Sequence, residues 1–433
     1  MIAVLSGIWA LLLGIVLIML GNGMHFTLIG LRGGIEGFSA AELAVVTSGY
    51  FMGFLSGARL TPILIRRVGH VRVFAALGSL ISATIILYPV LTEPLAWVLL
   101  RVLIGFCFCG VYITAESWLN AASTNETRGK ALSLYMIVVM LGIVLAQGIV
   151  TLGDPSGFIL FIVPSVLVSI SFAPILLAAT PTPPFETTKS MSLARLWATS
   201  PLGCVSVFLT GGVISGQFTM SAVYGGEVGL TVAQISAFIA AIYTGGLVFQ
   251  FPLGWLSDRM DRRKLILWSA VGSAALAAIG MVFVDDARVL ILLGFLFGGL
   301  SNPLYSLAVA YTNDFLDREE MAAASGGLLF LNGLGAVMGP IAIGWIMGAM
   351  GAVGFWVFLA ALNVVLAIYG VWRMRRRPVT PPVSETFPYA PVPYAPVPIV
   401  ATPVAHEAAA EVRREAQEEA CAGDTKSPIE STS

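Results

Sequence analysis

Apolar residues in this chain come in long blocks, without the alternation of a half-buried strand or the three-and-four rhythm of a surface helix. A helix needs about 20 mostly apolar residues to cross a bilayer core. Blocks of that kind run near 8–29, 41–63, 71–90, 94–117, 131–152, 157–179, 201–223, 233–255, 265–284, 288–311, 322–347 and 353–372. They predict an all-α membrane protein with twelve transmembrane helices. No Lys or Arg precedes the first block, which is also too long for a signal-peptide core and reads as a retained span. Two stretches break the pattern. Residues 181–199 form the longest connection between blocks and read as a linker separating residues 1–180 from 200–373. Residues 374–433 are Pro-rich and then acidic, the composition of a disordered tail.

Composition agrees and sharpens this. Hydrophobic residues make up 57% of the 433 positions and charged residues 11%, against roughly a quarter charged in soluble domains. Fourteen of the 47 charges lie between Arg375 and Glu430, leaving 33 for the first 373 residues. This excludes a soluble enzyme, a nucleic-acid binder and a disulfide scaffold. Net charge is −1 and implies no electrostatic partner. The cysteines Cys107, Cys109, Cys204 and Cys421 form no metal or redox spacing with His. Assigning alternate loops to opposite sides puts sixteen Lys and Arg on one face, including Arg66, Arg67, Arg128, Lys130, Lys189 and Arg259, and only Arg32 and Arg288 on the other. The positive-inside bias then predicts an inner-membrane protein with both termini cytoplasmic.

The halves repeat each other. Gly37–Ala44 aligns with Gly229–Ser236 at an offset of 192, and each copy sets Ser or Thr three residues before Glu or Gln, as in a capping box. Arg66–Arg72 aligns with Asp258–Lys264, and Ser133 with Ser325, at the same offset, whereas Gly105–Gly110 matches Gly294–Gly299 at 189. The expected architecture is two pseudo-symmetric six-helix bundles, the plan of many secondary transporters with a site between repeats near the midplane.

The strongest local motif is Gly254-Trp-Leu-Ser-Asp258-Arg259-Met-Asp261-Arg262-Arg263-Lys264. It resembles the G-x-L-x-D-R-x-G-R-[RK] loop of the Major Facilitator Superfamily, with Asp261 in place of the second glycine. The family's second copy corresponds to Pro62, Arg66, Arg67, Gly69, His70 and Arg72, which lack the first glycine and the acidic residue. Segments 31–39 and 115–129 resemble a poorly characterised bacterial branch usually called YcaD-like. The resemblance covers the first 373 residues and implies the MFS fold. It also implies a cytoplasmic gate at Gly254, Asp258, Arg259, Arg262 and Arg263, with Arg66 and Arg67 from the second copy, and with Asp314, Asp317, Glu319 and Glu320 as candidate partners. Fixing topology is the rival account of the same charges, but it does not require the Gly-x-Leu-x-Asp spacing, so the gate is preferred.

Within the spans, Arg101, Gly105, Cys109, Tyr112 and Glu116 share one helical face. Arg101-Val-Leu-Ile-Gly105 resembles the family's R-x-x-x-G motif. A deep arginine either faces a polar cavity or snorkels outward. Glu116 lies near the cytoplasmic end, where a structural latch to Arg59 is preferred over a proton site. Asn22 and His25 share a face of the first span, and His25 is a candidate proton carrier or a neutral hydrogen-bonding partner. Gln147, Gln217, Asn302, Tyr305 and Asn332 are further cavity candidates, with helix–helix bonding as their other reading. Gly335–Gly344 carries G-x-x-x-G-P in span eleven, whereas antiporters of the family carry a similar motif in span five. Here Gly142–Gly148 has no proline, so helix packing is preferred.

These features predict a secondary transporter, a monomer in the lipid bilayer. It moves a small solute by alternating access, with an ion gradient, the proton's, as driving force, since no phosphate-binding loop is present. No enzyme activity, cofactor, metal or nucleic acid is expected. The few deep charges suggest an uncharged or amphiphilic solute, with any anionic group directed to Arg101. The rivals are a membrane-embedded enzyme, which lacks paired ligands at one depth, and a non-transporting sensor or scaffold using the Pro-rich tail.

Overall fold

The computed structural model describes residues 2–121, 125–177, 191–283 and 286–376. The tail from Arg377, including Cys421, and the linker up to Ser190 lie outside them. So do the side chains of Arg128, Lys130, Ser133 and Glu319. Six helices come first: α1 (Ile2–Ile35), α2 (Ala40–Val68), α3 (His70–Leu87), α4 (Pro94–Ala121), α5 (Asn125–Val150) and α6 (Ile159–Leu177). A short α7 (Leu193–Thr199) occupies the described end of the linker. Then follow α8 (Pro201–Glu227), α9 (Val232–Ser257), α10 (Arg262–Val282), α11 (Ala287–Ser301), α12 (Leu304–Asn313), α13 (Arg318–Met350) and α14 (Val353–Arg376). Ten stretches are long and apolar enough to cross a membrane, α11 and α12 counting together as one, and α5 and α6 carry shorter apolar segments. These are the twelve blocks of the sequence. Pro303 marks the break between α11 and α12, since it has no amide hydrogen to give to the helix.

The repeat is visible in backbone detail. Ser39 and Glu42 cap α2 reciprocally, and Thr231 and Gln234 cap α9 in the same way. Just before each cap, Gly37 (φ 81°) and Gly229 (φ 75°) adopt the left-handed conformation that glycine takes without a Cβ penalty. Phe38 N–H donates to Gly33 O and Gly37 N–H to Gly34 O; Leu230 to Gly225 and Gly229 to Gly226 repeat the pattern. Each is a Schellman ending, set 192 residues apart.

Glycines also set the tightest crossings. A Cβ on Gly53 would meet the Val102 carbonyl and one on Gly105 the Tyr50 carbonyl, so α2 and α4 touch backbone to backbone. Gly245 against Phe295 and Gly298 against Ile242 reproduce this between α9 and α11. The packing therefore pairs Gly105 with Gly298, one helical turn beyond the Gly294 indicated by the sequence match. The local resemblance of two Gly-Phe strings misled the alignment, because contact with the neighbouring helix, and not the string, fixes the register.

The bundles meet through α1 with α8, α2 with α13, and α5 with α9. Along the α2–α13 seam Gly344 faces Ala40 and Ala44, Gly333 faces Leu55, and the Arg59 guanidinium lies 5.1 Å over the Phe330 ring. At the α1–α8 seam Gly30 faces Ala222, and the Phe26 and Phe218 rings are 4.0 Å apart. Outside the seams, large apolar side chains such as Phe251 and Trp345 are 80% and 78% exposed, as lipid-facing residues would be.

Candidate functional site

Arg101 enters the core from α4, two turns after Pro94. Its side chain turns inward, away from the snorkelled alternative, and is fully buried. The guanidinium lies 4.2 Å over the Phe26 ring and 5.5 Å from the Tyr50 ring, and its Nη1 is 3.2 Å from His25 Nδ1. Arginine only donates, so Nδ1 accepts and the imidazole is neutral, its proton on Nε2. Arg101 Nε and Nη2, His25 Nε2, and the Tyr50 and Tyr88 hydroxyls are buried without partners. The described ion pairs all lie at helix ends, none at this depth. A charge at the bilayer centre costs about 2.5–3.5 kcal/mol on insertion scales, and here ring faces and one imidazole nitrogen are the described offsets.

Other side chains wall off this centre. Asn22 donates to the Tyr112 hydroxyl at 3.2 Å, and Tyr112 donates to Met19 Sδ at 3.3 Å. Tyr88 meets the His25 ring edge-on at 4.8 Å and packs against Trp97, whose Nε1 donates to the Leu91 carbonyl at 2.6 Å. Phe38 completes the stack on Trp97. Thr27 donates to Gln147 at 2.9 Å. In the second bundle two amides bond to each other: Gln217, which stands opposite His25 at the repeat offset, donates to Asn302. Asn332 donates to the Val207 carbonyl at 3.1 Å, and Tyr305 is buried on α12. Asn22, His25, Arg101 and Tyr112 thus come together in the first bundle, Gln217 and Asn302 in the second. Glu116, also buried, accepts from the Tyr135 hydroxyl at 3.4 Å, while its expected partner Arg59 stacks on Phe330 across the seam.

At the α9–α10 loop Asp258 ends α9 and Asp261 caps α10. Arg262 bonds Asp258 at 3.3 Å and also Asp314, joining the ends of α9, α10 and α12. Asp261 accepts from Arg263 N–H at 3.0 Å and from its Nη2 at 2.8 Å. Arg259 stacks on Trp255, and Gly254 is buried in the last turn of α9. These described pairs stay within the second bundle. Glu320 pairs with Arg195 of α7, tying the linker to α13, while Asp317 caps α13 without a side-chain bond. The first-bundle copy differs, because Arg66 and Arg67 are exposed in the last turn of α2.

The profile of the Major Facilitator Superfamily matches residues 11–228 and again 203–406. The chain belongs to the Major Facilitator Superfamily. It is a multi-pass integral membrane transporter and not an enzyme. Relatives include the uncharacterised MFS-type transporter YfkF of Bacillus subtilis (strain 168), 26% identical over 362 residues, covering 81% of this chain and 90% of the relative. YcaD of Salmonella heidelberg (strain SL476) is 26% identical over 334 residues, covering 76% and 86%. These place the chain in the YcaD-like branch. Among solved structures, the nucleoside transporter NupG superposes with TM-score 0.70 at 15% identity, covering 86% of this chain and 99% of the other. A bacterial homologue of the human lysosomal transporter Spinster, inward-facing and occupied, gives 0.69 at 15% identity, covering 84% and 96%.

In superfamily terms the loop departure at Asp261 has a local reason: the carboxylate caps α10 where the motif has glycine. Burial would raise its pKa, but hydrogen bonds from Arg263 outweigh that and hold it below the usual aspartate range. Its contribution to stability is therefore complete above about pH 4 and is lost as pH falls through the lower folded-state value. Asp314 runs the other way, burial raising its carboxyl against the pull of Arg262. Asp261→Asn is expected to lower the thermal midpoint at pH 6, with the difference from wild type closing toward pH 3. A gap that stays constant across that range removes this role for Asp261.

Sequence reading missed Phe26, Tyr50, Tyr88 and Phe218, all apolar or aromatic positions indistinguishable from core by composition. One signal was present: Phe26 and Phe218 stand 192 residues apart, the repeat offset itself.

Proposed function

We propose that the protein carries a small solute by alternating access, its two six-helix bundles rocking about a site between α1, α2, α4 and α8, under a proton gradient. The observation that supports this most is Arg101, a buried cation with unpartnered donors, placed beside the Phe26–Phe218 contact between the bundles. A structural arginine would be expected to have its donors satisfied. In this reading the protein is a monomer of the cytoplasmic membrane with both termini inside. The loop at Asp258 acts by holding α9, α10 and α12 as one body, with Arg59 on Phe330 as a contact across the gate.

His25 supplies the coupling. Its Nδ1 accepts from Arg101, so a proton on Nδ1 and that bond exclude each other, and protonation releases Arg101. Arg101 of α4 and Tyr88 after α3 are the titratable groups facing the ring. Tyr50 of α2 and Tyr112 of α4 stand against the same stretch of α1, at Phe26 and Asn22, whereas Pro164 and Val168 of α6 and Phe218 and Ala222 of α8 are not titratable. Solutes found by thermal shift on the purified full-length chain are to be tested in proteoliposomes. His25→Gln is expected to abolish uptake driven by a pH gradient while counterflow exchange persists. Unchanged gradient-driven uptake would make His25 a structural residue.

A further inference from the structure

We infer that the solute is a flat aromatic monocarboxylate, its carboxylate seated on the side-on edge of the Arg101 guanidinium and its ring against Phe26 and Tyr50. This rests on the transport reading above, and takes from it only that the buried centre is a solute site.

The edge is the first reason. Of the three guanidinium nitrogens, Nη1 is held by His25, while Nε and Nη2 are buried without partners. Nε and Nη2 lie on one side of the plane's outline, and their two N–H bonds run parallel at the spacing of two carboxylate oxygens. His25 occupies the other edge and sets the orientation of the fork. It is a positioning residue, and its neutral ring leaves the charge on Arg101 alone.

The balance of donors and acceptors is the second reason. Around the fork Arg101 Nε and Nη2 and His25 Nε2 are unpartnered and can only donate, the Tyr50 and Tyr88 hydroxyls can donate or accept, and Asn22 Oδ1 can only accept. The centre is thus short of acceptor oxygens and of one negative charge. A monoanion with two oxygens supplies both, whereas a phosphate monoester would bring a second charge that this single cation does not match. An amino acid fits poorly, because no carboxylate is described beside the centre to take its ammonium group.

The walls are the third reason. Phe26 lies between Arg101 and Phe218, with Tyr50 edge-on at 4.6 Å and Phe54 and Phe108 behind Tyr50. Phe218 belongs to the opposite bundle, so parting of the α1–α8 seam uncovers the Phe26 face turned away from the guanidinium and opens the centre to a solute. A flat aromatic body replaces the lost ring contact, worth about 0.5–1.5 kcal/mol beyond area burial.

The test is calorimetric titration of the purified full-length protein with benzoate, phenylacetate and indole-3-acetate, and with the corresponding amides, benzylamine and phenylalanine. At least one acid is expected to bind, and its amide roughly ten- to a hundredfold more weakly. Arg101→Lys keeps the charge and loses the fork, and is expected to weaken the acid by at least roughly tenfold. His25→Gln, whose amide oxygen still accepts from Nη1, should retain more affinity than His25→Leu. Binding of none of the acids, or of acid and amide alike, overturns the assignment, and the wild-type comparison decides even if the Arg101 variant does not fold. An acid that binds through Arg101 yet shows no counterflow in proteoliposomes would overturn the transport reading and leave this one standing. Counterflow of the amides alone would do the reverse.

Discussion

Gly105→Ala is expected to destabilise the protein, although alanine is the better helix former. The new Cβ would land on the Tyr50 carbonyl and its Cα, which are backbone atoms and cannot rotate away. Helices α2 and α4 must then separate, and overpacking of this kind costs about 1–3 kcal/mol. For a bundle of this size that corresponds to a fall in the thermal midpoint of roughly 2–12 °C. Gly298→Ala is expected to behave alike, since its Cβ would meet the Ile242 carbonyl at the equivalent crossing. Gly148→Ala is the control. It has open space and should gain up to about 1 kcal/mol from helix propensity. Thermal unfolding of the three variants settles the matter: if Gly105→Ala matches Gly148→Ala, the backbone contact between α2 and α4 is not what holds the first bundle.

Gly344→Phe is expected to open one end of the seam between the bundles. Gly344 of α13 lies against Ala40 and Ala44 of α2, both buried, and a phenyl ring has no room there. The clash falls on the state in which these helix ends touch and is absent from the state in which they part. A penalty of about 1–3 kcal/mol on one of two states shifts their ratio roughly 5- to 150-fold. The measurement is the rate at which a membrane-impermeant maleimide labels a cysteine placed at Ala44, with and without the second change. Labelling that does not accelerate in a folded variant would mean that this seam does not part at that end.

What was legible in the sequence is what local physics decides. Twelve spans followed from block length, and the caps at Ser39 and Thr231 followed from residue type at a spacing of three. Arg101 was recognisable as a costly charge at depth, and Arg101 and Tyr112, expected on one helical face, both meet α1, at His25 and Asn22. The partners were not legible. Nothing local joins Arg101 to His25, 76 residues away. Depth alone points to a latch between Glu116 and Arg59. Rotation of each helix about its axis decided otherwise, turning Glu116 toward Tyr135 and Arg59 toward Phe330. The pairing of Gly105 with Gly298 likewise depends on where a neighbouring helix runs.

The Phe26–Phe218 contact has a consequence for how the two repeats can change. Each ring touches its own counterpart, as in the isologous interface of a two-fold homodimer, where a patch is complementary to itself. A substitution in such a patch alters both sides at once while the halves are identical. Once they share a single chain, each side is free to vary. Here His25 stands opposite Gln217, and Arg101 opposite Gly294 when Gly105 is paired with Gly298: a tethered dimer in form, with its charge on one protomer.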